Sequence, residues 1–172
     1  MQLTLRNSFR GPKPVLVLTT QFSNIRPIGD PLSQCKIYES QLVDELILVD
    51  LQRDEASWNM LLQTVEVISA SLATPLAVGG GLRLYDQVQE LLDRGADKVI
   101  VNSSAINQPD LIDKIADSYG SQCIVASIDA RHDSTSKWLV WGESGSVCAG
   151  FTLAVVTASS AISFVPTALS AN

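Results

Sequence analysis

Short, nearly continuous apolar runs recur along the chain at residues 14–18, 45–51, 75–78, 98–101 and 123–129. Each has the length of a strand buried on both faces, because its Val, Ile and Leu residues follow one another instead of alternating with polar ones. Between these runs the apolar positions recur at helical spacing. Leu32, Cys35, Tyr38 and Leu42 share one side of a first helix, which opens at Asp30-Pro31, an N-cap acceptor followed by proline at the first helical position. Leu61, Leu62, Val65, Ile68 and Leu72 define a second, which Pro75 forbids from continuing. A third carries Leu84, Val88, Leu91 and Leu92 and closes on Arg94 and Gly95. The fourth runs from Pro109 through Leu111, Ile112, Ile115 and Tyr119 to Gly120. Strands alternating with helices in this way predict βα units and a parallel sheet.

One stretch echoes another. Asp44-Glu45-Leu46-Ile47-Leu48 returns 53 residues later as Asp97-Lys98-Val99-Ile100-Val101, each time at a helix-to-strand junction. A repeat of two βα units suits a (βα) barrel better than a doubly wound sheet, which needs a crossover to reverse its strand order. The chain of 172 residues is room for one domain. Charge divides it: 12 basic and 18 acidic residues all fall at or before Glu143, and residues 144–172 carry none. The expected organisation is a partial (βα) barrel domain over residues 1–143. After it comes an uncharged Ala/Ser/Val/Thr-rich tail, 144–172, with the composition of a truncated or out-of-frame coding sequence. Thr152, Thr157, Ser159, Ser160, Ser163 and Pro166 interrupt the tail's apolar residues and argue against a membrane span.

Composition narrows the function classes. A net charge of −6, a pI of about 4.6 and no run of basic residues exclude a surface for nucleic acid. Cys35, Cys123 and Cys148 form no C-x-x-C pair, and their odd number cannot close an internal disulfide framework, which fits the reducing cytoplasm. His132 is the lone histidine, and no Cys/His cluster has ligand spacing, so no metal site is expected. Residues 1–14 hold no continuous apolar segment of the signal-peptide kind. With neither a Walker A motif nor G-x-G-x-x-G, no nucleoside triphosphate, dinucleotide or other cofactor is called for.

In such folds ligands collect at the carboxyl ends of the strands. Asp50, Gly79-Gly80-Gly81, Asn102-Ser103-Ser104 and Asp129 stand there. Three consecutive glycines expose backbone N–H groups with no Cβ in the way, and with the amide of Asn102 and the hydroxyl of Ser103 they could hold a phosphate. A tight βα turn is the structural alternative. For Asp50 and Asp129, capping and loop anchoring stand against general acid/base work by carboxyls held at the mouth of a rigid scaffold.

Several segments together resemble the cyclase subunit of imidazole glycerol phosphate synthase. They are Ile28-Gly29-Asp30-Pro31, Val43-Asp44-Glu45-Leu46-Ile47-Leu48-Val49-Asp50, Ala77-Val78-Gly79-Gly80-Gly81-Leu82, Arg94-Gly95-Ala96-Asp97-Lys98-Val99, Val101-Asn102-Ser103, Gly120-Ser121-Gln122-Cys123 and Ser127-Ile128-Asp129-Ala130. The resemblance runs in order from about residue 10 to 150. It implies an α/β fold of the (βα)8 TIM-barrel family, here about a half barrel of five parallel strands and four helices plus the atypical tail. It also implies ammonia from a glutaminase (glutamine amidotransferase) partner, joined to a phosphorylated ribonucleotide substrate in L-histidine biosynthesis. Carried over residue by residue, Gly81, Asn102 and Ser103 match a substrate phosphate site, Asp129 the catalytic general acid and Asp50 an active-site carboxylate. Glu45 and Lys98 match an ammonia gate, with a simple salt bridge as the alternative. Asp97 and Gln122 match the face that docks the glutaminase.

The departures are as specific. Val17 stands where the resemblance implies a second catalytic aspartate, so the base of the acid/base pair is missing. The following loop, residues 19–27, is short and lacks the family's lysine, and the second half of the barrel has no counterpart. A related subunit of surface-polysaccharide amidation, acting on a phosphorylated sugar, and a non-catalytic half-barrel fragment are the competing expectations. A half barrel leaves its first and last strands with unpaired edges, so self-association as a homodimer of half-barrels is expected as well.

Overall fold

The helix starts predicted at Asp30-Pro31 and at Pro109 are met in the structure, a computed structural model that describes residues 2–7, 13–20, 23–52, 54–132, 137–142, 147–152 and 163–168. Helix α1 (Pro31–Ser40) opens with the Asp30 carboxylate accepting from Ser33 N at 2.9 Å. Helix α2 (Glu55–Ser71) uses Asp54 in the same way, bonded to Ser57 N at 2.9 Å and Ser57 Oγ at 2.7 Å. In α3 (Tyr85–Asp93) the side chain of Gln87 reaches back, its Oε1 accepting from Arg83 N at 2.9 Å and Leu84 N at 3.1 Å. A one-turn helix α4 (Ser103–Asn107), which periodicity did not foresee, precedes α5 (Pro109–Tyr119). The chain leaves α3 through Gly95 at φ +96° and α5 through Gly120 at φ +88°.

The described strands are β1 (Gln2–Asn7), β2 (Pro14–Thr20), β3 (Ser23–Gly29), β4 (Leu46–Asp50), β5 (Leu76–Gly79), β6 (Lys98–Val101), β7 (Ile124–His132), β8 (Trp138–Gly142), β9 (Val147–Thr152) and β10 (Ser163–Ala168). The chain divides into two units, Met1–Val99 and Ile100–Asn172.

In the first unit the strands lie in the order β3-β2-β1-β4-β5. Strands β1, β4 and β5 are parallel neighbours, but β2 is antiparallel to both β1 and β3. The α/β fold with parallel neighbours is as expected, and the correction concerns the direction of one of the expected strands. The run at 14–18 lies in β2, one place removed from β4, and β1 takes the position beside β4. Connection length explains it: the few residues separating β1 from β2, and β2 from β3, allow hairpins but not the crossover that parallel neighbours need.

Burial in this unit centres on the sheet and α2. Leu61, Val65 and Ile68, spaced at i, i+4 and i+7, are fully buried, and α2 packs on α1, α3 and β2. On β4 burial alternates: Leu46, Leu48 and Asp50 are buried while Ile47 and Val49 are half-buried, whereas β5 is buried throughout. Glu39 ties α1 to the chain entering β5, its Oε1 accepting from Ala73 N at 2.7 Å and Thr74 N at 3.1 Å.

In the second unit β7 pairs antiparallel with β8 and parallel with β10, and β8 carries β9 antiparallel. Leu111 and Ile115 are the buried residues of α5, which contacts β7. Strands β9 and β10 come from residues that the sequence pattern left without elements. All three cysteines are free. Among the described residues no helix is long and apolar enough to cross a membrane.

Truncating Leu61 to Ala removes buried methyl groups from the α2 core and should cost about 2–5 kcal/mol. Urea unfolding checks this: the midpoint falls while the slope of the transition stays as in the parent.

Candidate functional site

The ends of β4 and β5 build the first part of the site, entirely within the first unit. Parallel pairing sets Val49 beside Gly79, which brings Gly80 alongside Asp50. Gly80 has φ +123°, and a Cβ there would run into the backbone of Asp50, so only glycine fits. Gly81 follows at φ +67° and is exposed. In front of them opens a small, mostly polar cavity of about 40 Å³, with Asp50, Gly80 and Gly81 on one side and Gln52, Asp54, Trp58 and Gln87 completing its walls.

Asp50 is only 5% exposed. Burial pushes its carboxyl from 3.8 up to about 6, and the neighbouring Asp54 carboxylate adds to the rise. The N–H of Gln52, donating to Asp50 Oδ1 at 3.1 Å, works against it and also anchors the loop. Asp54 is exposed, and its bonds from Ser57 hold its carboxyl below the ordinary value. The indole N–H of Trp58 donates to Glu90 Oε2 at 2.6 Å.

In the second unit Asp129 lies on β7 and is also 5% exposed. Burial raises its pKa, and a hydrogen bond from the Asn102 side chain opposes the rise. The Asn102 amide also donates to Ser127 O at 2.8 Å and accepts from Ser103 Oγ at 3.2 Å. Asn102, Ser103 and Asp129 thus form one hydrogen-bonded group. Across the hairpin Trp141 stands opposite Asp129, with the Arg131 guanidinium carbon 4.5 Å from the centre of its ring.

Glu45 and Lys98, at the amino ends of β4 and β6, form an ion pair of 2.7 Å between Oε1 and Nζ. Asp97 is exposed, yet its Oδ2 accepts from Leu76 N at 2.8 Å and its own N–H donates to Leu76 O at 2.9 Å, so it also closes the start of β5. Gln122 lies in the 3₁₀ turn Ser121–Cys123, exposed, its amide donating to Tyr119 O at 3.2 Å. Val17 is 2% exposed on β2 and pairs with Thr4, an apolar position in the sheet interior.

Within the first unit the structure brings Asp50 and Gly81 to one cavity, and Glu45 to Lys98. Asp54, Trp58 and Gln87 were not singled out from sequence. Asp54 had a legible signal, an acidic residue three positions before Ser57 at the head of an apolar periodic run. Trp58 and Gln87 enter from the first turns of α2 and α3 with no sequence signal of their own. Among the described residues no group of three or more His, Cys, Asp or Glu side chains could hold a metal ion.

A buried carboxyl at a strand end beside a glycine turn, on an α/β scaffold of βα units, fits the class of folds, TIM barrels among them, in which ligands collect at the carboxyl ends of the strands. A family model described as "Histidine biosynthesis protein" matches residues 11–167, and the chain belongs to that family. It is 56% identical over 153 residues to the "Putative imidazole glycerol phosphate synthase subunit hisF2" of Prochlorococcus marinus (strain MIT 9313), which covers 89% of this chain and 59% of that protein. It is 40% identical over 126 residues to the "Imidazole glycerol phosphate synthase subunit HisF" of Lysinibacillus sphaericus (strain C3-41), covering 73% of this chain and 50% of that one. The subunit of the same name from Dictyoglomus turgidum (strain DSM 6724 / Z-1310) is 38% identical over 135 residues, 78% of this chain and 54% of its own. The chain therefore spans half to three-fifths of the length of these curated relatives.

Folded Asp50 takes up its proton near pH 6, and the unfolded chain does so only near 3.8. Between these values the native state binds the extra proton, so this contribution favours the fold at low pH and is lost as pH rises through the window. Asp50→Asn keeps an acceptor for Gln52 N and abolishes the slope. Compared with the parent, its urea midpoint should improve steadily from about pH 4 to about pH 7; a difference that does not change with pH contradicts the burial of a titrating group.

Proposed function

We propose that the chain carries the first part of an ammonia-using cyclase subunit of the imidazole glycerol phosphate synthase type. In that reaction ammonia joins a phosphoribulosyl-formimino carboxamide ribonucleotide, giving imidazole glycerol phosphate and the aminoimidazole carboxamide ribonucleotide, a step of L-histidine biosynthesis. Asp129 carries the reading: a buried carboxyl with a raised pKa, steadied by Asn102, is suited to hold a proton and give it up. Membership of the histidine biosynthesis family and the names of the relatives support the same substrate class.

In this reading Asp129 is the general acid and Asp50 a supporting carboxyl, while Gly81, Asn102 and Ser103 receive a substrate phosphate. Asn102 has a second duty, since its amide also orients Asp129. The Glu45–Lys98 pair gates ammonia; only part-buried, it can open at small cost. Asp97 and Gln122, both exposed, belong to the face that docks a glutaminase partner. The barrel domain ends at residue 143, the tail 144–172 adds β9 and β10 to its sheet, and edge strands such as β3 pair with a second copy to make a dimer. The free cysteines suit a cytoplasmic setting.

The direct test is ammonia-dependent formation of imidazole glycerol phosphate by the purified chain. With Val17 in the base position, turnover should fall about 10² to 10⁴ below that of a cyclase holding both acid/base groups. Absence of product contradicts the proposal. Asn102→Ala should weaken binding of a phosphorylated sugar in calorimetry, and unchanged affinity removes Asn102 from the site.

A further inference from the structure

We propose that Trp141 is a positioning residue for Asp129: its ring holds the Arg131 guanidinium off the Asp129 carboxyl, which is left without a cationic partner and free to carry a proton. This rests on the reading of Asp129 as the general acid, and it names the group that keeps the carboxyl fit for that work.

Three side chains share one face of the β7–β8 hairpin. Asp129 and Trp141 are directly opposite in register, and Arg131 lies two residues further along β7, so all three project from the same side of the sheet. Across two residues of one strand a long, flexible arginine can reach a carboxylate, and the usual product of such a meeting is a charge-assisted, often bidentate pair. The structure shows another outcome. The guanidinium carbon sits 4.5 Å from the centre of the Trp141 ring, the diagonal neighbour across the hairpin. Arg131 Nε is buried without a hydrogen-bond partner, so the ring face, and no bond through that nitrogen, holds the group where it is.

The carboxyl is thereby left with a neutral partner. Asp129 is buried, and the Asn102 amide steadies it without bringing a charge. A carboxylate paired with a guanidinium is kept ionised and has no proton to give, whereas one buried beside a neutral donor takes a proton more readily; the raised pKa of Asp129 agrees with the second case. Other charges stand clear of it. Within the second unit β8, β10, α4 and the residues of β6 carry no titratable group, and Asp110, Asp113, Lys114 and Asp117 of α5 are exposed, as is Lys137 ahead of β8. Arg131 is therefore the cation that Trp141 has to keep in check.

Carbon-13 NMR titration of the Asp129 carboxyl in the full chain, assigned with Asp129→Asn, tests this. Trp141→Leu keeps apolar bulk but offers no ring face, and it should lower the midpoint by about one pH unit or more as the guanidinium reaches the carboxyl. Trp141→Phe should hold the midpoint close to that of the parent. Adding Arg131→Met to Trp141→Leu should bring the lowered midpoint back. An unchanged midpoint in Trp141→Leu overturns the proposal. A fall that persists in the double variant overturns it too, because water rather than Arg131 would then be the cause. Arg131→Met alone leaves the Trp141 packing in place and should barely move the midpoint; a rise of about one unit would mean that the guanidinium already acts on the carboxyl, against the proposal. Midpoints as expected together with no cyclase product would strike at the proposed function and leave this role of Trp141 standing.

Discussion

The approach of Gly80 to the backbone of Asp50 is the constraint on which the rest of the first unit's site depends. Strand β5 lies in register beside β4 up to Gly79, and the next residue must turn away at positive φ with no room for a Cβ. Because nothing projects from position 80, the two strand ends stay together and Asp50 lines the cavity while remaining almost fully buried. That burial, in turn, raises its pKa. A side chain at 80 would have to push the strands apart, and the cavity floor, the carboxyl's environment and the turn into Gly81 would change with it.

Environment sorts the carboxyls. Asp50 and Asp129 share a pattern, in which burial raises the pKa and one hydrogen bond, from Gln52 N or from the Asn102 amide, partly offsets it. Asp54 is exposed, accepts two bonds from Ser57 and stays ionised more readily than a free aspartate. Identical side chains thus take different work: two hold a proton more readily than a free aspartate, and the third provides fixed negative charge. Val17 adds no carboxyl to this set, so the proposed chemistry lacks one of its two acid/base groups.

What could be foreseen from sequence was local. Asp30-Pro31, Gly95 and Gly120 mark helix ends by chemistry confined to a few residues, and the structure follows them. Asp50, Gly81, Asn102 and Asp129 were legible as candidates because each ends or follows an apolar run, and strand ends carry sites in folds of this kind. Strand direction was not legible. The apolar run in β2 looks the same whether it pairs parallel or antiparallel, and its direction depends on the short connections to β1 and β3. In β1 the alternation of Leu3 and Leu5 with polar neighbours is itself a strand signal, though a short one. Trp58 and Gln87 could not be found in this way, since only the packing of α2 and α3 beside the strand ends brings them to the cavity.

The central claim is that the β4–β5 junction holds Asp50 as a buried, protonatable carboxyl facing the cavity. Carbon-13 NMR titration of the Asp50 side-chain carboxyl tests it most directly, with Asp50→Asn used to assign the signal. The account predicts a midpoint at about 6. A midpoint at the ordinary aspartate value of 3.8 would mean that Asp50 is solvated and that the strand ends are not held together in this way.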